Sequence, residues 1–177
     1  MWKSSRKRAA RRAALFVWTA AATITVSMTA VPTVSAKMKT DRLVVETAKG
    51  AAPPHSIAIE IAETEEEKAL GLMFRTQLGD DQGMLFAYGD THEMTMWMRN
   101  TYISLDMVFI KADGVIHRIE PRAEPLSDRV ISSEGPVAAV LELAGGASQR
   151  LGIKPGDRVV HAIFAAPAAA AKPPLAK

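Results

Sequence analysis

Six polar or amphipathic side chains within apolar motifs are the first candidates for chemistry in this chain. Asp106 and Glu142 each stand between two large apolar residues. A carboxylate in apolar surroundings is costly unless it is paired or hydrogen-bonded, so we expect a partner for each: Arg75 or Arg99, or the backbone N–H groups of the Asn100 corner. Two interpretations stay open, a buried brace and a small pocket in which Trp97 forms an apolar wall. The candidate ligand-binding residues are Arg75, Trp97, Arg99, Asn100, Asp106 and Glu142.

A second candidate is a histidine and three methionines at every other position: His92, Met94, Met96 and Met98. Alternate residues of a β-strand face the same side of the sheet. Thioethers with an imidazole suit the soft ion Cu(I), so this file could hold copper. Methionine also commonly fills irregular cores, and this interpretation is favoured. The sequence indicates no other cofactor.

Catalysis has weaker support. Asp106 and Glu142 could act as acid and base in a hydrolase, but nothing in the sequence sets their separation. The four histidines are scattered, and no nucleophile elbow, zinc-binding helix or phosphate loop occurs. The chain has no cysteine, which excludes thiol nucleophiles and thiolate metal sites. We therefore assign no catalytic residue and keep a carboxylate hydrolase as an alternative.

Residues 1–36 have the pattern of a secretory signal peptide. A basic start is followed by an apolar run at 13–30 and by small residues at Val34-Ser35-Ala36. We expect export to the periplasm or outside the cell, with cleavage after Ala36. The Arg11-Arg12 pair also permits the twin-arginine route, although the general route fits better. The alternative is an uncut leader, which would be the only contact of this protein with a membrane.

The leader also determines the sign of the net charge, which is +3 for the full sequence. It holds six of the 22 Lys and Arg residues, so the remainder carries 16 against 19 Asp and Glu, a net charge of −3. No basic run follows Ala36, which argues against nucleic acid as a partner.

The elements that must position the candidate residues are mostly short strands. We expect strands at 93–99 and 105–110 to form a hairpin-like pair around a polar corner. We also expect a helix that is capped by Thr64 and Glu67 and ends near Met73. Further expected strands lie at 56–62, 84–88, 115–119, 137–143 and 158–164. We also expect a break at Gly89-Asp90, a tight hairpin turn at Lys111–Gly114, a surface loop at 121–133 and one helical turn around Ser148-Gln149-Arg150. Seven or eight short strands and one short helix predict a mostly β fold, a compact sandwich or squat barrel. The expected organisation is a leader at 1–36, a flexible segment with a possible edge strand at 37–55, the β domain at 56–164 and a disordered tail at 165–177.

Six ordered sequence blocks resemble the DUF192 (UPF0127) family between about Ile57 and Val160. The blocks are Gly71-Leu72-Met73-Phe74-Arg75, Gly83-Met84-Leu85-Phe86, Trp97-Met98-Arg99-Asn100-Thr101, Leu105-Asp106-Met107-Val108-Phe109, Val140-Leu141-Glu142-Leu143-Ala144-Gly145 and Gly152-Ile153-Lys154-Pro155-Gly156-Asp157. The connector at Tyr102-Ile103-Ser104 is a looser version of the usual one. The resemblance implies a compact, mainly β domain and no established enzymatic activity. The resulting expectation is an exported module that binds a small molecule or a protein partner in the cell envelope.

Overall fold

The computed structural model describes residues 38–50 and 53–164. The expected signal peptide and the expected C-terminal tail lie outside these residues. Within the described part, no helix is both long and apolar enough to cross a membrane.

In the described part of the chain, seven strands form one sheet and two short helices accompany it, which confirms the predicted mostly β class. The strands are β1 (Lys39–Glu46), β2 (His55–Ala62), β3 (Gln82–Met96), β4 (Leu105–Ile110), β5 (Ile116–Ala123), β6 (Ile131–Ala144) and β7 (Arg158–Val160). The helices are α1 (Glu65–Leu70) and α2 (Ala147–Arg150). The strand order is β5-β4-β6-β3-β2-β1-β7, and of these neighbours β2 and β3 are parallel whereas the others are antiparallel.

The sheet curls until its two ends meet. The N–H of Ile116 donates to the Asp157 carbonyl oxygen at 2.8 Å, and the N–H of Gly156 donates to the Ile116 carbonyl oxygen at 2.9 Å. The N–H of Val159 donates to the Gly114 carbonyl oxygen at 2.8 Å. These bonds give backbone groups at both ends of the sheet a partner, and the result is a half-barrel.

Both faces of the central strands are buried. Val108 pairs with Leu141 on the inner face, in a cluster with residues from all seven strands. Phe109 pairs with Val140 on the other face, in an outer cluster that includes Leu72 and methionines. Because β4 is covered on both sides, all six of its residues are buried, which explains its continuous apolar sequence.

The expected break at Gly89-Asp90 is absent, because β3 runs without interruption from Gln82 to Met96. A register shift between Ala87 and His92 absorbs the extra residues, and Gly89 has a φ of 78° there. Such a bulge bends a strand without ending it. The strand predicted at 93–99 was therefore wrong at both ends, since Trp97 already lies beyond β3.

The expected hairpin-like pair was also wrong, because β6 lies between β3 and β4. Strand β4 turns back at Lys111–Gly114 and pairs with β5, as predicted, and β6 then pairs with both β3 and β4. The predicted loop at 121–133 is shorter, since β5 reaches Ala123 and β6 begins at Ile131. Strand β1 lies between β2 and β7 rather than at an edge, and the last strand ends at Val160 before a 3-10 turn.

Candidate functional site

A pocket of about 260 Å³ lies against the outer face of the sheet, beneath α1. Strands β3 and β6 contribute to it, together with the segments that follow α1 and β3. Its apolar lining includes Leu72, Phe86, Met96 and Trp97, and Glu142 is its buried acid. This shape, an apolar cleft with few polar groups, is typical of small-molecule sites.

Glu142 is the most unusual group in the pocket, because it is a buried acid without a hydrogen-bond partner among the residues that the structure describes. The residue is 4% exposed, and its neighbours across the sheet are Met84 and Met107. Among the described residues, no hydrogen bond or ion pair reaches its carboxyl group. Burial raises the pKa of this carboxyl to about 8, so it is mainly neutral at pH 7.

Tyr88 and Lys68 form a second polar wall. Burial, helped by the nearby charges of Glu142 and Glu65, raises the pKa of the Tyr88 hydroxyl to about 12. This hydroxyl contacts the Met96 sulfur at 3.7 Å. The Lys68 ammonium lies 5.0 Å from the centre of the Tyr88 ring and 3.0 Å from the Glu65 carboxylate.

Helix α1 has the predicted capping box. The N–H of Glu67 donates to the Thr64 hydroxyl at 3.2 Å, and the N–H of Thr64 donates to the Glu67 carboxylate at 3.0 Å. The helix ends at Leu70, earlier than the expected end near Met73, because Gly71 takes a φ of 49°. A Cβ at Gly71 would lie 3.1 Å from the Phe86 ring, so glycine lets the chain pass close over the pocket.

Trp97 reaches the pocket from the end of β3, while 47% of its surface remains exposed. The Arg99 guanidinium lies 5.7 Å from the centre of its ring and 2.8 Å from the Asp128 carboxylate. Trp97 is thus a wall of the pocket, whereas Arg99 lies outside against the indole.

Asp106 lies elsewhere, fully buried on the opposite face of the sheet. Its carboxylate accepts hydrogen bonds from the backbone N–H groups of Arg122 (2.8 Å), Gly146 (2.7 Å) and Ser148 (2.9 Å), and from the Ser148 hydroxyl. The expected partners, Arg75, Arg99 and the Asn100 corner, are therefore wrong for Asp106 and for Glu142. Asp106 is a brace that ties β4 to β5 and to the start of α2.

Arg75 and Asn100 do not line the pocket. Arg75 makes two hydrogen bonds to the Glu60 carboxylate, at 2.7 and 2.5 Å, beside a separate groove of about 290 Å³. Asn100 is exposed with a φ of 56°, and its carbonyl oxygen accepts from the Phe74 N–H at 2.9 Å. Of the six candidates, Trp97 and Glu142 are brought together in the pocket.

The histidine and methionine file divides between core and surface. Met94 and Met98 are buried in the outer cluster, and Met96 lines the pocket. His92 is half exposed and contacts Asp90 at 3.1 Å. Burial supports core filling for two of the methionines, and the Cu(I) site stays a prediction.

Sequence reasoning missed Lys68, Phe86 and Tyr88 as pocket residues. Phe86 and Tyr88 are two residues apart on β3, and Phe86 follows Met84, the cross-strand partner of Glu142, by two. This period-two pattern could have placed them on one face, but only with the β3–β6 register known.

Comparison with known proteins agrees with this architecture. The family model DUF192, described as uncharacterized ACR, COG1430, matches residues 44–161, and the chain belongs to this family. A crystal structure from Sinorhizobium meliloti 1021, described as a candidate transcription regulator, is 43% identical, with a TM-score of 0.69 over 71% of this chain and 96% of that one. A protein of unknown function from Novosphingobium aromaticivorans is 42% identical, with a TM-score of 0.67 over 75% of this chain and 91% of that one. No curated protein matches the chain.

Proposed function

We propose that this protein is an exported module that binds a small molecule in the pocket beneath α1, with Glu142 as the polar anchor. The observation that carries the proposal is the buried carboxyl group of Glu142, which has no partner among the described residues and borders an open space. Burying a polar group without a hydrogen bond costs free energy. A ligand that bonds to Glu142 would recover this cost on binding.

The composition of the pocket fits this role. Phe86, Met96 and Trp97 offer apolar contact area, and a volume of about 260 Å³ is close to the lower end of the range for small-molecule sites, roughly 300–1,000 Å³. A small amphipathic compound is therefore the best match.

Binding is better supported than hydrolysis. A carboxylate hydrolase needs a second acidic group beside Glu142. The expected one, Asp106, faces the other side of the sheet with its oxygens occupied. Glu65 also lines the pocket, but it is exposed and paired with Lys68 at 3.0 Å. The description of the S. meliloti relative would point to nucleic acid, but the chain after residue 36 carries a net charge of −3. A phosphate backbone would find little attraction there.

An envelope protein is the alternative occupant of this region. The side chains of Phe74 (55%) and Tyr102 (51%) are exposed and in edge-to-face contact at 6.1 Å, close in sequence to the pocket residues Met73 and Thr101. Exposed aromatic side chains are enriched in protein interfaces. Loss of a co-purifying envelope protein on Phe74→Ser with Tyr102→Ser, with small-molecule binding intact, would support this alternative.

Blocking the pocket tests the main proposal. Ala69 is an exposed residue of α1 that lines the pocket, so Ala69→Trp should fill it without disturbing the core. Glu66→Trp is the matched control, since Glu66 is exposed on the same helix but does not line the pocket. With 1-hexanol, hexylammonium and hexanoate as calorimetric probes, we expect binding of at least one probe, lost in Ala69→Trp and kept in Glu66→Trp. Absence of binding for all three would overturn the proposal.

Export rests on the order of basic, apolar and small residues in 1–36. N-terminal sequencing of the protein recovered from cell fractions should give Lys37 as the first residue in the exported fraction. A chain that keeps Met1 and stays in the cytosol would contradict export while leaving the binding proposal intact.

A further inference from the structure

We propose that the pocket takes small ammonium compounds, whose charged nitrogen bonds to the Glu142 carboxylate while their apolar part lies against the aromatic walls. This inference rests on the proposed function and names the chemical class of the ligand.

The free polar groups of the pocket are mainly acceptors. Lys68, the one cationic side chain among the described residues that line the pocket, is engaged by the Glu65 carboxylate at 3.0 Å. The Tyr88 hydroxyl is directed at the Met96 sulfur at 3.7 Å, and the Thr101 hydroxyl donates to the Arg99 carbonyl oxygen at 3.3 Å. An anionic ligand would find no free cation here, whereas a donor would find the Glu142 carboxyl group.

The aromatic walls favour a positive ligand as well. Two pocket rings already hold cations of the protein on their surfaces, Lys68 at 5.0 Å from Tyr88 and Arg99 at 5.7 Å from Trp97. The negative face of an aromatic ring attracts cations, and the attraction increases where water is excluded. A positively charged ligand in this pocket would gain stabilisation from the Glu142 carboxylate and from the aromatic rings.

The charges around Glu142 predict that an ammonium ion displaces a proton when it binds, and this release can be measured. The charged or titratable groups that face Glu142 are Tyr88 on β3 and Glu65 and Lys68 on α1, and its strand neighbours Met84 and Met107 are neutral. The charges of Lys68 and Glu65 cancel, so the pocket has no net charge when Glu142 is protonated. An entering ammonium ion restores neutrality if the Glu142 proton leaves to solvent. The balance is one cation bound and one proton released.

The amount released follows from the acidity of the free site. With a pKa of about 8, Glu142 is mainly protonated at pH 7, so each bound ammonium ion should release about 0.9 proton. For the same reason the affinity should rise roughly tenfold from pH 6 to pH 7. A neutral alcohol of the same length should release none.

Calorimetric titration of the full chain in buffers of different ionisation enthalpy tests this, with hexylammonium, 1-hexanol and hexanoate as probes. We expect hexylammonium to bind at least tenfold more tightly than the other two and to release about 0.9 proton at pH 7. In Glu142→Gln both the preference and the proton release should disappear. Glu66→Gln, an exposed acid on α1 outside the pocket, should keep both.

The outcomes separate the two proposals. If none of the probes binds, the small-molecule proposal fails and this inference fails with it. If 1-hexanol or hexanoate binds as tightly as hexylammonium, or if hexylammonium binds without proton release, the pocket stands and the ammonium class is overturned. Should Glu142→Gln fail to fold, the proton count and the pH dependence of the unchanged protein decide alone.

Discussion

Asp106 and Glu142 stand on paired strands and face opposite sides of the same sheet. Asp106 pairs with Leu143, and Glu142 pairs with Met107, so each acid is one residue away from the partner of the other. Neighbouring residues of a strand point to opposite faces, which separates the two carboxyl groups. Asp106 accepts four hydrogen bonds inside the fold. Glu142 lines a pocket and has no hydrogen-bond partner among the described residues.

Asp106→Asn should destabilise the fold strongly. An amide keeps one acceptor oxygen but turns its NH₂ group towards the N–H donors that the carboxylate accepted, those of Gly146, Ser148 and Arg122. A buried donor without a partner costs about 1–3 kcal/mol, so we expect the free energy of unfolding to fall by at least about 1–3 kcal/mol. Urea unfolding followed by circular dichroism measures this change.

Asp128→Asn is the matched control for that experiment. Asp128 is exposed and pairs with Arg99 at the surface, where ion pairs contribute about 0–1 kcal/mol. If Asp106→Asn costs no more than this control, the brace does not have the role that its geometry indicates.

Glu142→Gln should change the pH dependence of stability. Because the folded-state pKa of about 8 lies above the ordinary value of 4.5, the unfolded chain loses this proton first. Wild-type stability therefore decreases as the pH rises from about 4.5 to about 8, by about 1.4 kcal/mol per pH unit from this group alone, and the effect levels off above pH 8. Since glutamine cannot titrate, the free energy of unfolding of the variant should increase relative to that of the wild type as the pH rises over this range. Urea unfolding at several pH values checks the slope.

Glu63→Gln serves as the comparison, since Glu63 is half exposed in a surface pair with Lys39. The free energy of unfolding of the Glu63→Gln variant should change with pH as that of the wild type does. An identical profile for Glu142→Gln would mean that Glu142 titrates normally in the fold.

Gly114→Ala should weaken the contact between the two ends of the sheet. Gly114 has a φ of 82°, and a Cβ there would lie 2.5 Å from the Val159 carbonyl oxygen. Gly89 has a similar φ of 78° with no atom within 4 Å of a Cβ, so Gly89→Ala carries the backbone strain without the clash. Strain costs about 1–2 kcal/mol in both variants, and overpacking should add about 1–3 kcal/mol for Gly114→Ala. Equal losses in thermal unfolding would show that the Gly114 contact relaxes freely.

Thr64→Ala should open helix α1 locally. The helix buries none of its residues, so it depends on its caps, and losing a threonine cap costs about 1 kcal/mol. Amide exchange at Lys68 and Gly71, whose N–H groups bond to Thr64 and Glu67, should become roughly fivefold faster. Thr91→Ala, at an exposed position of β3, should leave these two rates unchanged.

Local signals in the sequence predicted the local structure well. The Thr64 cap, the turn at Lys111–Gly114 and the helical turn near Ser148 are confirmed, because each depends on residues a few positions apart. The family is confirmed as well, since its motifs can be compared without knowledge of the fold.

Relationships over long sequence distances could not be predicted in the same way. Strand β6 is compatible with several neighbours, and its position between β3 and β4 depends on packing of the whole sheet. The requirement of Asp106 for a partner was correctly inferred, but its donors lie on α2 and at the irregular β4–β5 pairing. Of the residues that line the pocket, only Trp97 and Glu142 were candidates from the sequence. Neither of their motifs indicates that α1 packs above them.

The central position of β6 affects how the chain acquires this fold. Before β6 has joined the sheet, β1–β3 and β4–β5 can pair only as two separate ribbons, because β6 is the strand that lies between them. The apolar faces of both ribbons are then exposed to solvent, so chaperones can bind them and the chains can aggregate. Cooperative folding therefore requires Ile131–Ala144 to pair with both β3 and β4, and contacts between residues so far apart in sequence form slowly.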